Sequence, residues 1–151
     1  MKIIVGLGNP GPLYERTRHN VGRNVVTALG KHVDAESFEK NKKYGGLAAE
    51  GMIGKQKVLL LLPDTFMNRS GKAVATLKVK PKDVIVIHDD SDIPLGICKV
   101  SFGKNSAGHK GVESIMRALK SKDFWRIRVG VQKKRRVPAM ELVLQKFKPD
   151  E

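Results

Sequence analysis

IVGLGNPGPLYERTRHN, residues 4–20, is the stretch from which the rest of the chain is read. Ile3, Ile4 and Val5 form an unbroken apolar run, the pattern of a strand buried on both faces. The run gives way to a turn containing Gly6, Gly8, Pro10, Gly11 and Pro12, and the segment ends on the pair His19 and Asn20. Gly6, Gly8 and Gly11 match G-x-G-x-x-G, the fingerprint of dinucleotide-binding folds. That fingerprint requires the turn to open directly into a helix whose first amides hold a pyrophosphate. Here Pro10 removes an amide, Pro12 follows, and helical periodicity resumes only near Asn20. A dinucleotide site is rejected on that missing sequel.

Length and charge narrow the class. The chain has 151 residues, about the size of one domain with a full core. Lys and Arg number 29 against 15 Asp and Glu, a formal net charge of +14. An excess of that size on one small domain points to a polyanionic partner, above all nucleic acid. The only cysteine, Cys98, leaves no internal disulfide and no zinc-type cluster. No apolar run approaches the ~20 residues of a membrane span, and the N-terminus lacks a signal-peptide pattern. The expectation is a cytoplasmic protein with no membrane attachment.

Strands and helices alternate along the chain. After the first strand, Val21, Val25, Ala28 and Leu29 share one face of a helix from about Asn20 to His32. Tyr44 to Met52 and Lys57 to Leu62 read as two strands around a turn at Ile53-Gly54-Lys55. Ala73, Val74 and Leu77 mark a short helix. Val84 to His88 is the most apolar strand, and its continuous apolarity places it centrally. Ile97 to Phe102 alternates, as an exposed strand does. Val112, Ile115, Met116 and Leu119 fall at i, i+3, i+4, i+7, and a strand from Arg126 to Val131 follows. Met140, Val143, Leu144 and Phe147 predict a last helix. The alternation implies a single α/β domain over residues 1–151, with three layers and a mixed twisted sheet flanked by helices.

Four polar clusters fall where loops follow strands, the usual place for sites in α/β proteins. They are Asn9 with His19; Asp64 to Asn68; His88 to Asp92; and Asn105 to Gly111. Together they offer a histidine base, a carboxylate to fix its tautomer, and amides to stabilise negative charge. Each has a plainer use. Asn68 suits a helix cap, and Asp89, Asp90 and Asp92 suit turn formation or oxygen ligation of a divalent cation. Gly108 and Gly111 suit an anion site at a helix start.

In order along the chain these clusters resemble the bacterial-type peptidyl-tRNA hydrolase family. The matching stretches are VGLGNPGPLYERTRHNVG, PDTFMNRSGKAV, HDDSDIPLG, GHKGVESI, FWRIRVGV and ELVLQKFKP, which together span nearly the whole chain. The resemblance implies hydrolysis of the ester that joins a peptide to the 3′-terminal ribose of tRNA, with no cofactor and no metal. It implies His19 as general base, Asp89 as its orienting carboxylate, and Asn9 and Asn68 on the substrate beside the oxyanion. Tyr14 and Met67 would line the same crevice. The implied partner is peptidyl-tRNA, bound by its acceptor arm and 3′ end, and the protein is expected to be a monomer.

The chain departs from the family pattern in three places. Lys110 stands where the family has an asparagine, and is expected at the substrate. Of the basic pair that meets the tRNA 5′-phosphate, Arg128 matches the arginine, while Ser101 occupies the lysine position; Lys99 or Lys104 would compensate. Family members also continue into further C-terminal helices, so a domain lacking that extension is expected. The main alternative is a non-catalytic RNA-binding relative, as in plant splicing factors of this fold; the set His19, Asp89, Asn9 and Asn68 favours the enzyme. A metal site on Asp89, Asp90 and Asp92 ranks last, for want of histidines at ligand spacing.

Overall fold

A computed structural model describes residues 1–151. The apolar runs seen in the sequence become the middle of a seven-stranded sheet. Its strands are β1 (Lys2–Gly6), β2 (Glu39–Asn41), β3 (Gly46–Ile53), β4 (Gln56–Pro63), β5 (Val84–Pro94), β6 (Cys98–Phe102) and β7 (Trp125–Gln132), in spatial order β2-β3-β4-β1-β5-β7-β6. The pairs β4–β1, β1–β5 and β5–β7 are parallel, while β2–β3, β3–β4 and β6–β7 are antiparallel. The sheet is therefore mixed, with parallel strands at its centre.

Alternation along the central strands divides the core into two layers. Ile3 and Val5 of β1, Leu59 and Leu61 of β4, and Val84 and Val86 of β5 face one side. There they meet Val74 of α2 (Lys72–Ala75) and Val112 and Ile115 of α3 (Lys110–Leu119). Ile4, Val58, Leu60, Leu62 and Ile87 face the other side, against Val26 of α1 (Val21–His32). Because successive side chains of a strand point to opposite faces, these runs bury both at once. The three-layer α/β architecture expected from the sequence is the one observed.

The structure corrects three elements. The polar stretch Asp89 to Asp92, expected as a loop after a strand ending at His88, belongs to β5, which runs on to Pro94. Asp89 and Asp90 pair there with Val129 and Gly130 of β7. The last helix is a single turn, α4 (Ala139–Leu142), and does not extend to Phe147. Beyond it the backbone pairs with the N-terminal segment: the Arg18 and His19 amides donate to the Gln145 and Val143 carbonyls, and the Phe147 amide to Arg16. Those carbonyls cannot also serve a helix. The short polar strand β2 has no apolar signature and was not foreseen. The turn Gly6 to Gly11 is separated from α1 by a further turn and a 3₁₀ turn at Arg18–Asn20, which agrees with the absence of a dinucleotide fingerprint.

Gly22 sets how closely α1 can approach the sheet. A Cβ there would lie 2.1 Å from the Ile87 carbonyl oxygen and 3.1 Å from the Cα of His88. Gly22→Ala must push α1 away from β5. We expect a loss of about 2–3 kcal/mol, in the range of overpacked cores, measured by urea unfolding. A variant within ~0.5 kcal/mol of wild type would show that this approach is not constrained.

Candidate active site

A crevice opens at the carboxyl ends of the parallel strands, where open α/β sheets form their sites. It encloses about 230 Å³, and its lining includes His19, Asp89, His109, Lys110, Ala139 and Met140. His19 arrives on the 3₁₀ turn just before α1, Asp89 lies within β5, and His109 immediately precedes α3.

Asp89 holds the centre. It is 2% exposed; its Oδ2 lies 2.8 Å from His19 Nδ1 and its Oδ1 lies 2.7 Å from His109 Nε2. Burial pushes the Asp89 carboxyl up, but the attraction of the two imidazoles, His109 before His19, and the hydrogen bonds they donate outweigh it. The net result is a carboxyl held well below the usual carboxylate range. An ionised Asp89 only accepts hydrogen bonds, so both histidines must donate to it.

The tautomer of His109 is fixed from its other side. Its Nδ1 accepts from the backbone N–H groups of Gly111 and Val112, at 3.1 and 3.3 Å. The imidazole thereby caps α3, a task usually given to Ser, Thr, Asp or Asn. Its proton must sit on Nε2, facing Asp89. These contacts occupy the Gly111 amide, and Ser106 Oγ accepts the Gly108 amide at 3.1 Å, so the amides expected to offer an anion site at Gly108 and Gly111 are taken. The His109 contacts also argue against a metal ion. Ligand atoms of His19, Asp89 and His109 lie within 4.8 Å of one another. To ligate, however, His109 Nε2 would have to shed its proton to Nδ1, against two inward-pointing N–H groups. Asp89, Asp90 and Asp92 offer no alternative set, because Asp90 pairs with Arg128 Nε at 2.8 Å and Asp92 with Arg136 at 2.5 Å.

His19 is held from three directions. Its Nδ1 donates to Asp89, its amide donates to Val143, and the fully buried Arg18 anchors the preceding residue. The Arg18 guanidinium bonds to the Val131 carbonyl and Glu151 and lies 5.0 Å from the centre of the Phe147 ring. With Nδ1 engaged, the Nε2 lone pair of His19 is left for chemistry.

Asn9 and Met67 form an adjoining group outside the lining of this cavity. The Asn9 Oδ1 accepts the Met67 amide at 2.7 Å, which leaves its Nδ2 free to donate. Asn20 clamps the Asn9 backbone: it accepts the Asn9 amide and donates to the Asn9 carbonyl, at 2.8 and 2.9 Å. Met67 packs where a Gly111 side chain would stand, beside His109. Asn68, next along the same turn, is exposed. Tyr14 meets Phe66 edge to face, with centroids 6.3 Å apart. The Lys110 side chain is 72% exposed, and its ammonium lies 3.6 Å from Glu113.

A basic cavity of about 430 Å³ adjoins the crevice through His88, Asp90, Ser106 and Ala107, and is lined also by Lys104, Lys122, Arg126 and Arg128. Lys104 and Arg128 are in it; Lys99, opposite Arg128 on β6, is not. Arg126 fixes its walls, bonding to the carbonyls of Lys104, Asn105 and Lys122. His88, kept neutral with its pKa lowered to about 4 chiefly by burial, separates the two cavities. Sequence reasoning missed His109, Asn20, Lys122 and Arg126. The first two lie in stretches already singled out; the last two become neighbours of Lys104 only through folding.

The family model described as peptidyl-tRNA hydrolase matches residues 3–151. A peptidyl-tRNA hydrolase of Halalkalibacterium halodurans is 42% identical over 158 aligned positions, covering 100% of this chain and 83% of the relative. One from Desulfitobacterium hafniense is 42% identical over 135 positions, covering 87% of this chain and 71% of the relative. A crystal structure of peptidyl-tRNA hydrolase from Acinetobacter baumannii superimposes with a TM-score of 0.88 at 32% identity, over 99% of this chain and 78% of that one.

Removing His109 is the sharpest test of the array. His109→Ala leaves half of a buried carboxylate unpaired and uncaps α3, so we expect a loss of about 3 kcal/mol or more. Because the folded carboxyl sits below its unfolded value, its stabilisation is complete above that value, about pH 4, and fades as pH falls through the lower folded one. The gap between wild type and His109→Ala should narrow on acidification. Urea unfolding at neutral and strongly acidic pH reads it; a gap that widens in acid contradicts the assignment.

Proposed function

The chain belongs to the peptidyl-tRNA hydrolase family, and on that premise we propose that it cleaves the ester between peptide and tRNA with water activated by His19. The observation that carries this reading is the arrangement at Asp89: a buried, ionised carboxylate accepts Nδ1–H of His19 and leaves Nε2 bare in an open crevice. That is the geometry a general base needs.

The roles follow from the contacts. His19 Nε2 takes a proton from a water as its oxygen attacks the ester carbonyl carbon. The imidazolium then stands over an ionised Asp89, which stabilises the positive charge and keeps the ring oriented. As the tetrahedral intermediate collapses, the same proton passes to the departing ribose oxygen. An ester leaving group needs less assistance than an amide, so no covalent intermediate is required. The free Nδ2 of Asn9 is a preorganised donor for the oxyanion, and Asn68, Tyr14 and Met67 bind the chain on the peptide side. Lys110, at the crevice mouth, offers a cation to the substrate when it leaves Glu113. No step calls for a metal or cofactor.

The RNA end of the substrate belongs in the neighbouring basic cavity. We assign Arg128 and Lys104 to a phosphate of the acceptor arm, and Lys122 supplies a further ammonium in the place that Ser101 does not fill. Lys99 adds positive charge at the adjoining surface. The domain acts as a monomer over residues 1–151. A binding-only relative would have no use for the His19 and Asp89 pairing, and that reading is not favoured.

His19→Ala should lower turnover of an N-acetyl-aminoacyl-tRNA by about a hundred- to ten-thousandfold, while tRNA affinity, measured separately, stays within about twofold because the basic surface is untouched. A chelator should leave the wild-type rate unchanged. Wild-type turnover in His19→Ala, or loss of wild-type turnover on chelation, would exclude this mechanism.

A further inference from the structure

The run Lys133 to Arg136 has no part in the chemistry described above, yet it is built into the rim of the crevice. Gln132, only 6% exposed, folds its side-chain amide over the loop that carries the run. Its Nε2 donates to the carbonyls of Ser91 and Val137, at 2.7 and 3.0 Å, and its Oε1 accepts the amides of Lys133 and Val137, both at 3.0 Å. A single buried amide thus closes residues 133–137 into a loop and ties that loop to β5. Arg136 adds a second tie at Asp92. Ser91 and Asp92 line the His19 crevice, as do Ala139 and Met140 just past the loop.

Held in this way, Lys134 and Arg135 are exposed, and neither forms an ion pair with a carboxylate. Four consecutive cations repel one another, and a loop needing only to stay hydrated gains nothing from being fastened at both ends. The basic cavity around Arg128 and Lys104 meets the crevice through His88, Asp90, Ser106 and Ala107, whereas this loop borders it through Ser91, Asp92 and Ala139. Positive charge therefore flanks the crevice on two sides.

We propose that Lys134 and Arg135 form a preorganised arm that binds backbone phosphates of the single-stranded 3′ end of the tRNA as its terminal ribose enters the His19 crevice. This rests on the hydrolase reading and adds a contact to it. The loop adjoins residues that line the crevice itself, so the phosphates within reach are those next to the scissile ester, not those of the distant duplex. A flexible strand can follow a rim that a rigid duplex cannot enter. Because the contacts are to phosphate, they carry no sequence preference and weaken with salt.

The test compares wild type with Lys134→Ala/Arg135→Ala, and with a control, Lys78→Ala/Lys80→Ala. The control removes the same charge from exposed positions ahead of the opposite end of β5. Two readouts are taken: hydrolysis of an N-acetyl-aminoacyl ester on full tRNA and on a short 3′-terminal oligoribonucleotide, and binding of the unesterified oligoribonucleotide by fluorescence anisotropy. We expect the arm variant to raise KM on both RNAs and Kd for the oligoribonucleotide, with kcat within about twofold of wild type, since the chemistry is not touched. Its gap from wild type should shrink about sevenfold between about 50 and about 200 mM salt, as two single-strand contacts each contribute about 0.7 to the slope. An unchanged KM and Kd, an equal effect from the control, or an effect on full tRNA that vanishes with the short oligoribonucleotide would each overturn the proposal. If wild type binds the oligoribonucleotide but cleaves neither ester, the hydrolase reading fails and the binding comparison still decides the arm.

Discussion

A carboxylate buried in the middle of a sheet cannot remain ionised without partners, and the arrangement around Asp89 follows from that need. Taking the charge out of water costs several kcal/mol, of order, which only close charge-assisted hydrogen bonds can offset. Two imidazole N–H groups supply them, one to each oxygen. Each partner is then constrained in turn. His109 is held by the amides at the head of α3, and His19 by the backbone of the C-terminal segment. A structural requirement and a chemical one coincide here: the bond that stabilises the buried charge is also the bond that leaves His19 Nε2 bare.

The topology brings these groups together from distant parts of the chain. β1 and β5 are neighbouring parallel strands, so Asn9 beyond one and Asp89 within the other emerge at the same end of the sheet. Gly22 lets α1 settle against Ile87 and His88, which brings the preceding His19 within 2.8 Å of Asp89. β7 completes the wall, with Arg128 reaching back to Asp90. The segment after α4 lies across Arg16 to His19, so it both borders the crevice and fixes the base.

The sequence made some of this legible and hid the rest for physical reasons. The runs at Ile3–Val5, Val58–Leu62 and Val84–Ile87 were readable because burial on both faces leaves an unbroken apolar signature. The spacing of Val112, Ile115 and Met116 showed α3 in the same way. Asp89 to Asp92 looked like a loop because polar residues there are satisfied by partners far along the chain, such as His109 for Asp89 and Arg128 for Asp90. The last helix was overdrawn because spacing alone cannot tell a helix from one turn followed by a paired segment. His19 and Asp89 lie in polar clusters that the pattern alone picks out, but their roles came only through the family resemblance. His109 was passed over because histidine is a rare helix cap, and Asn20 because its task is to hold the backbone of Asn9 rather than to meet substrate.

The central claim is that Asp89 dictates the tautomer of His19, and nitrogen-15 NMR of the imidazole groups tests it most directly. In the neutral wild-type protein His19 should carry its proton on Nδ1, hydrogen-bonded to Asp89, with Nε2 unprotonated. In Asp89→Asn that preference should be lost along with turnover. A His19 protonated on Nε2 in wild type, or a tautomer unaffected by Asp89→Asn, would contradict the account.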